Sequence, residues 1–129
     1  MIGGRVLDAS TIVGFAQVQP YPQALVWTAV QEDMVLAVPA AALASAWARV
    51  PAVAQDALGV LLELPNTVVE PLDEAAARQV GTLLTGGDTD AVRAGQVAAS
   101  AIGRGWAAVT GEPGPLRAVD PRVEIDELP

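Results

Sequence analysis

The chain has 129 residues, 52% hydrophobic and 17% charged, which is enough for one self-sufficient core and too few for two, so a single domain over 1–129 is expected. That composition excludes disorder, and no apolar run nears the roughly 18 residues that cross a bilayer, so no membrane association is expected. Fifteen acids against seven bases give a net charge of −8, and the absence of His and Cys excludes zinc sites, Cys or Ser/His nucleophiles and imidazole catalysis. Carboxylate chemistry is what remains.

The opening MIGGRVLDAS has no basic leader followed by an apolar core and a small-residue cleavage site, and with no cysteine to oxidise the expected location is cytoplasmic. Within it, GRVLDAS reads as a short apolar strand with Asp8 at its tip. Ser10 is placed to cap a helix through TIVGFAQ. After the prolines of VQPYP a second helix is predicted over QALVWTAVQED. MVLAVP, short, apolar and bounded by Asp33 and Pro39, has the character of a strand buried on both faces. AAALASAWARV has high helix propensity, and Pro51 starts another helical run through AVAQDALGVLLEL. NTVVEPL gives a third strand, and Asp73 is a good cap for EAAARQVGTLL. The TGGDTD turn leads into a long helix from about Ala91 to Arg104. WAAVT gives a fourth strand, GEPGP a loop, and VEID a fifth strand. Strands alternating with helices predict an α/β fold: a central parallel sheet with helices on both faces, its strands including Val6, Leu36, Val68 and Val109.

In such a sheet ligands bind beyond the carboxyl ends of the strands. Asp8 stands at one such end, and Thr110, Gly111 and Glu112 stand at another. Two acids distant in sequence are thereby expected in one crevice, where clustered oxygens suit Mg²⁺ or Mn²⁺ and paired metals activate water for phosphodiester cleavage. The seven arginines, Arg5, Arg49, Arg78, Arg93, Arg104, Arg117 and Arg122, are scattered and leave no broad footprint for duplex nucleic acid. Arg93 and Arg104 read as solvated helix surface rather than phosphate ligands. Trp27, Trp47 and Trp106 read as core or interface anchors.

The order VLDAS, AVPAAALASAWA, VVEPLDEAAARQVGTLL and AGQVAASAIGRGWAAVTGEPGPLRAVDP resembles an actinobacterial PIN domain of the VapC-like kind over nearly the whole chain. The resemblance implies a three-layer α/β/α fold around a parallel sheet. It also implies Mg²⁺- or Mn²⁺-dependent ribonuclease activity, an antitoxin-like protein partner and a homodimer. Of that family's four acids, the first falls on Asp8. The second, six residues beyond Pro39, falls on Ser45; the third falls on Ala94; and the fourth is supplied as Glu112 by TGEP. Asp90, four residues before Ala94, is a candidate third ligand on the same helical face, although Asp88 and Asp90 also flank a helix start where acids act as caps. The implied catalytic and metal set is therefore Asp8, Asp90 and Glu112, with Ser45 and Thr110 as neutral groups toward substrate. Two readings stand. In one, the domain has a depleted site, weak or absent in metal, and binds a protein partner or RNA. In the other, it is an active metal-dependent ribonuclease, the toxin of a toxin–antitoxin pair.

Overall fold

The computed structural model of the protein describes residues 3–129. Its elements in chain order are β1 (Gly4–Leu7), α1 (Ala9–Ala16), α2 (Pro20–Gln31), β2 (Val35–Pro39), α3 (Ala40–Arg49), a 3-10 turn (Ala52–Ala54), α4 (Gln55–Glu63), β3 (Thr67–Glu70), α5 (Glu74–Leu84), α6 (Val92–Arg104), β4 (Ala108–Thr110), α7 (Pro113–Val119) and β5 (Ile125–Glu127). All strand pairs are parallel and the sheet runs β3-β2-β1-β4-β5, so Val6, Leu36, Val68 and Val109 lie in one parallel sheet as expected. The central strands are mostly apolar, Arg5 of β1 and Thr110 of β4 apart, because both faces are covered. Val6, Leu7, Leu36, Val38 and Val109 are fully buried, with Ile12 of α1, Leu58 and Leu61 of α4, and Val97 of α6 packed around them. At the sheet margin β3 differs. Val68 and Val69 point to opposite faces, yet both are about two-fifths exposed, at 42% and 43%.

The order places β2 and β3 on one side of β1 and β4 and β5 on the other, so the connections reverse direction between β1 and β4. Asp8 and Gly111 leave the sheet at the carboxyl ends of those two strands, at the switch point where open α/β sheets take their ligands.

Four local readings are corrected. Asp8 itself, rather than Ser10, caps α1, accepting from the Ala9 amide at 2.8 Å, because the helix begins one residue after the strand ends. Pro51 does not open a continuous helix; Val50 and Pro51 are extended, and a 3-10 turn precedes α4. GEPGP is not wholly loop. Pro113 presets the first turn of α7 and buried Leu116 anchors it, a contact no local pattern announces. α6 starts at Val92, so Asp90 lies before the helix and not on its face.

Buried Gln96 of α6 ties the start of α3 to the end of β3 at the carboxyl edge. Its Oε1 accepts from the Ala41 amide in the first turn of α3 at 2.8 Å, and its Nε2 donates to the carbonyls of Glu70 at 3.1 Å and Pro71 at 3.4 Å. Pro39, the residue before α3, supplies no side-chain cap, so Gln96 does that job from another helix. Gln96→Leu orphans these groups and is expected to cost about 2–3 kcal/mol, seen in urea unfolding as a lower midpoint at unchanged m. A loss within about 0.5 kcal/mol would mean that water replaces the amide without penalty.

Candidate functional site at the carboxyl edge

The Asp8 carboxylate is fully buried and held by three donors. Oδ1 accepts from the Ala9 amide and from Nη1 of Arg93; Oδ2 accepts from the Thr110 hydroxyl at 2.8 Å. Thr110 Oγ1 also accepts from the Glu112 amide at 2.9 Å and lies 3.3 Å from Ser10 Oγ. Since the single Thr110 proton goes to the carboxylate, Ser10 is the donor in that pair, and Ser10 Oγ accepts in turn from the Gly111 amide at 2.9 Å. Thr11 donates to the Val109 carbonyl at 2.6 Å. The ends of β1 and β4 are thus stitched by the side chains of Asp8, Ser10, Thr11 and Thr110, which add to the backbone bond from the Asp8 amide to the Val109 carbonyl at 3.1 Å.

Arg93 changes the character of the place. Read from sequence as solvated surface, it instead crosses from the first turn of α6 to form an ion pair with Asp8, its side chain 24% exposed against 0% for the carboxylate. The signal that would have found it is local: α6 begins with a cation and has neither an acid in its first turn nor a capping side chain, against the preference set by the helix dipole. Such a helix start is favoured by a nearby negative charge, which Asp8 supplies from across the sheet edge.

The remaining predicted residues do not gather around Asp8 as a ligand set. Glu112 is exposed and its carboxylate meets Arg49 of α3 at 3.2 Å. Asp90 is exposed in the turn before α6, its amide bonded to the Asp88 carboxylate at 3.0 Å, so Asp88 is the acid that organises this turn. Ser45 is half-buried on α3, and Ala94 is 3% exposed inside the core. Thr110 is fully buried with its proton committed to Asp8, which removes it from any face a substrate could touch. Among the described residues no group of three or more His, Cys, Asp or Glu side chains is arranged to hold a metal ion. The triad of Asp8, Asp90 and Glu112 read from the sequence is therefore not assembled. Two of its members have arginine partners, and the third stands in a turn outside the helix that was to carry it.

Of the tryptophans, Trp106 lies against Gly4 of β1 with the Arg104 guanidinium 4.8 Å above its ring, whereas Trp27 on α2 and Trp47 on α3 are 41% and 38% exposed.

No family model matches the sequence, and no curated protein matches it. Among solved structures the chain is similar to one in the crystal structure of VapBC2 from Rickettsia felis bound to a DNA fragment from their promoter, with a TM-score of 0.69 and 15% identity over 100% of each chain. With the parallel sheet, its strand order and the helices around it, this likeness defines the class: a three-layer α/β/α PIN-like fold.

Proposed function

We propose that this PIN-like domain has kept the fold and given up the metal chemistry, and that it acts by binding another protein. The carrying observation is the state of Asp8: a fully buried carboxylate whose charge is met by Arg93, with no second or third acid converging on it among the described residues. Mg²⁺ and Mn²⁺ need several oxygen ligands, and Mg²⁺ a near-octahedral set, which one carboxylate shared with a guanidinium does not offer. The residues present do not fit a pair of divalent ions.

Charge favours a protein over RNA. Six arginines are in ion pairs, Arg5 with Asp126, Arg49 with Glu112, Arg78 with Glu74, Arg93 with Asp8, Arg104 with Glu70 and Arg122 with Asp120. Among the described residues that leaves Arg117 outside a pair, on a chain of net charge −8, so phosphates find little to neutralise them. A basic protein surface is the complementary partner. The similar structure contains VapBC2, a complex, which supports a partner of the antitoxin type. Exposed Trp27 and Trp47 supply apolar anchors on α2 and α3 for that partner or for a homodimer.

Calorimetric titration with Mn²⁺, cleavage of a mixed RNA pool, and co-expression with the product of the adjoining gene test the reading together. The expected outcome is metal affinity no tighter than millimolar, intact RNA, and a stable complex with that product. Micromolar Mn²⁺ binding with cleavage that disappears in Asp8→Ala would instead establish a metal-dependent ribonuclease.

A further inference from the structure

We infer that Arg93 is the resident cation of this sheet edge, a guanidinium built into the fold at the carboxylate where a PIN-like domain would place a metal ion. The inference rests on the PIN-like reading for where a metal would stand, and on the geometry for everything else.

Four observations converge. Asp8 is fully buried, and its Oδ1 is shared between the first amide of α1 and Arg93. A buried carboxylate needs a compensating charge, and among the described residues Arg93 supplies it. Arg93 occupies the first turn of α6, where the dipole opposes a cation and no acid or cap on the helix offsets it; Asp8 repairs that misplacement from across the sheet edge. The next residue, Ala94, fills with a buried methyl the position that aligns with an acid in the resembling family, so the helix presents a cation and a methyl in successive places. Glu112, the other carboxylate of the edge, has its own guanidinium in Arg49. With each of these two acids already matched by one arginine, an incoming divalent ion would have to displace a guanidinium to reach either carboxylate.

The chemistry predicts an exchange: remove the guanidinium and the carboxylate should become responsive to metal. Thermal unfolding followed by tryptophan fluorescence reads this in wild type, Arg93→Ala and Asp8→Asn/Arg93→Ala, each titrated with MnCl₂. The wild-type Tm is expected to stay flat into the millimolar range. Arg93→Ala should melt lower by about 10 °C and regain part of that loss as millimolar Mn²⁺ is added. The double variant should melt above Arg93→Ala and ignore the metal. A wild-type Tm that climbs in micromolar Mn²⁺, an Arg93→Ala melt equal to wild type, or an Arg93→Ala protein indifferent to Mn²⁺ would each overturn the inference. If Arg93→Ala does not fold, Arg93→Lys takes its place. Lysine keeps the charge but loses the planar fork, so a reduced Tm without a metal response supports the resident cation, and a metal response refutes it. A wild-type Mn²⁺ response without RNA cleavage sinks this inference and leaves the binding role standing. Failure to bind a protein partner sinks that role and leaves the Mn²⁺ result untouched.

Discussion

Arg93→Gln is expected to destabilise the protein by about 3–5 kcal/mol, and Asp8→Asn by about 1–2 kcal/mol, an asymmetry that follows from which partner is buried. The carboxylate is at 0% exposure, so loss of the guanidinium strands a charge that water cannot reach. Glutamine is too short to follow the same path and brings no charge. In the reverse change the guanidinium, already 24% exposed, turns outward into solvent. The side chain introduced by Asp8→Asn keeps an oxygen for the Ala9 amide, although its amide nitrogen would then face a Thr110 hydroxyl that must become the acceptor. Urea denaturation of the two single variants measures both losses on one scale. If Asp8→Asn costs as much as Arg93→Gln, desolvation of the carboxylate is not what makes the pair matter, and the hydrogen bonds of Asp8 to Ala9 and Thr110 carry its contribution instead.

Two glycine-to-alanine changes are expected to move stability in opposite directions. Gly4 begins β1, the middle strand of the sheet, and a Cβ there would come within 2.5 Å of Trp106 Cζ3 and 2.6 Å of the Val35 carbonyl oxygen. The tryptophan ring can shift only by disturbing its stack with Arg104, and the carbonyl belongs to the neighbouring strand β2, whose register pairs Val35 with Gly4 itself. Neither neighbour yields cheaply, so Gly4→Ala should cost about 3 kcal/mol through overpacking. Gly81, exposed in α5 with nothing within 4 Å of its would-be Cβ, is the control. There the methyl lowers the entropy of the unfolded chain and raises helix propensity, so Gly81→Ala should gain about 0.5–1 kcal/mol. Thermal or chemical unfolding distinguishes the signs directly; a neutral Gly4→Ala would mean that β1 and β2 separate at that end without consequence.

Periodicity and punctuation sufficed for the architecture because the determinants are local. VLAVP between Asp33 and an alanine-rich run has the length and continuous apolarity of a strand covered on both faces, and Asp73 caps α5 through the Ala76 amide as its position before EAAARQV implied. Asp8 at the end of the first strand and Thr110 at the end of the fourth were legible for the same reason: a strand end fixes which residues reach the sheet edge, and the two do meet there at 2.8 Å. α7 was not legible, since Pro113, Gly114 and Pro115 are turn residues by propensity and only the burial of Leu116 in the assembled core holds them in a helix. Nor were the ion pairs that define the site. Asp8 and Arg93 are separated by 85 positions, and Arg49 and Glu112 by 63. An arginine side chain spans enough distance that its Cα position leaves its charged end free to face solvent, phosphate or an acid. Sequence alone determines the charge a helix carries; the tertiary structure decides which carboxylate it answers, because Coulomb attraction gains strength where packing has excluded water, and that happens only once β1, β4 and α6 have come together.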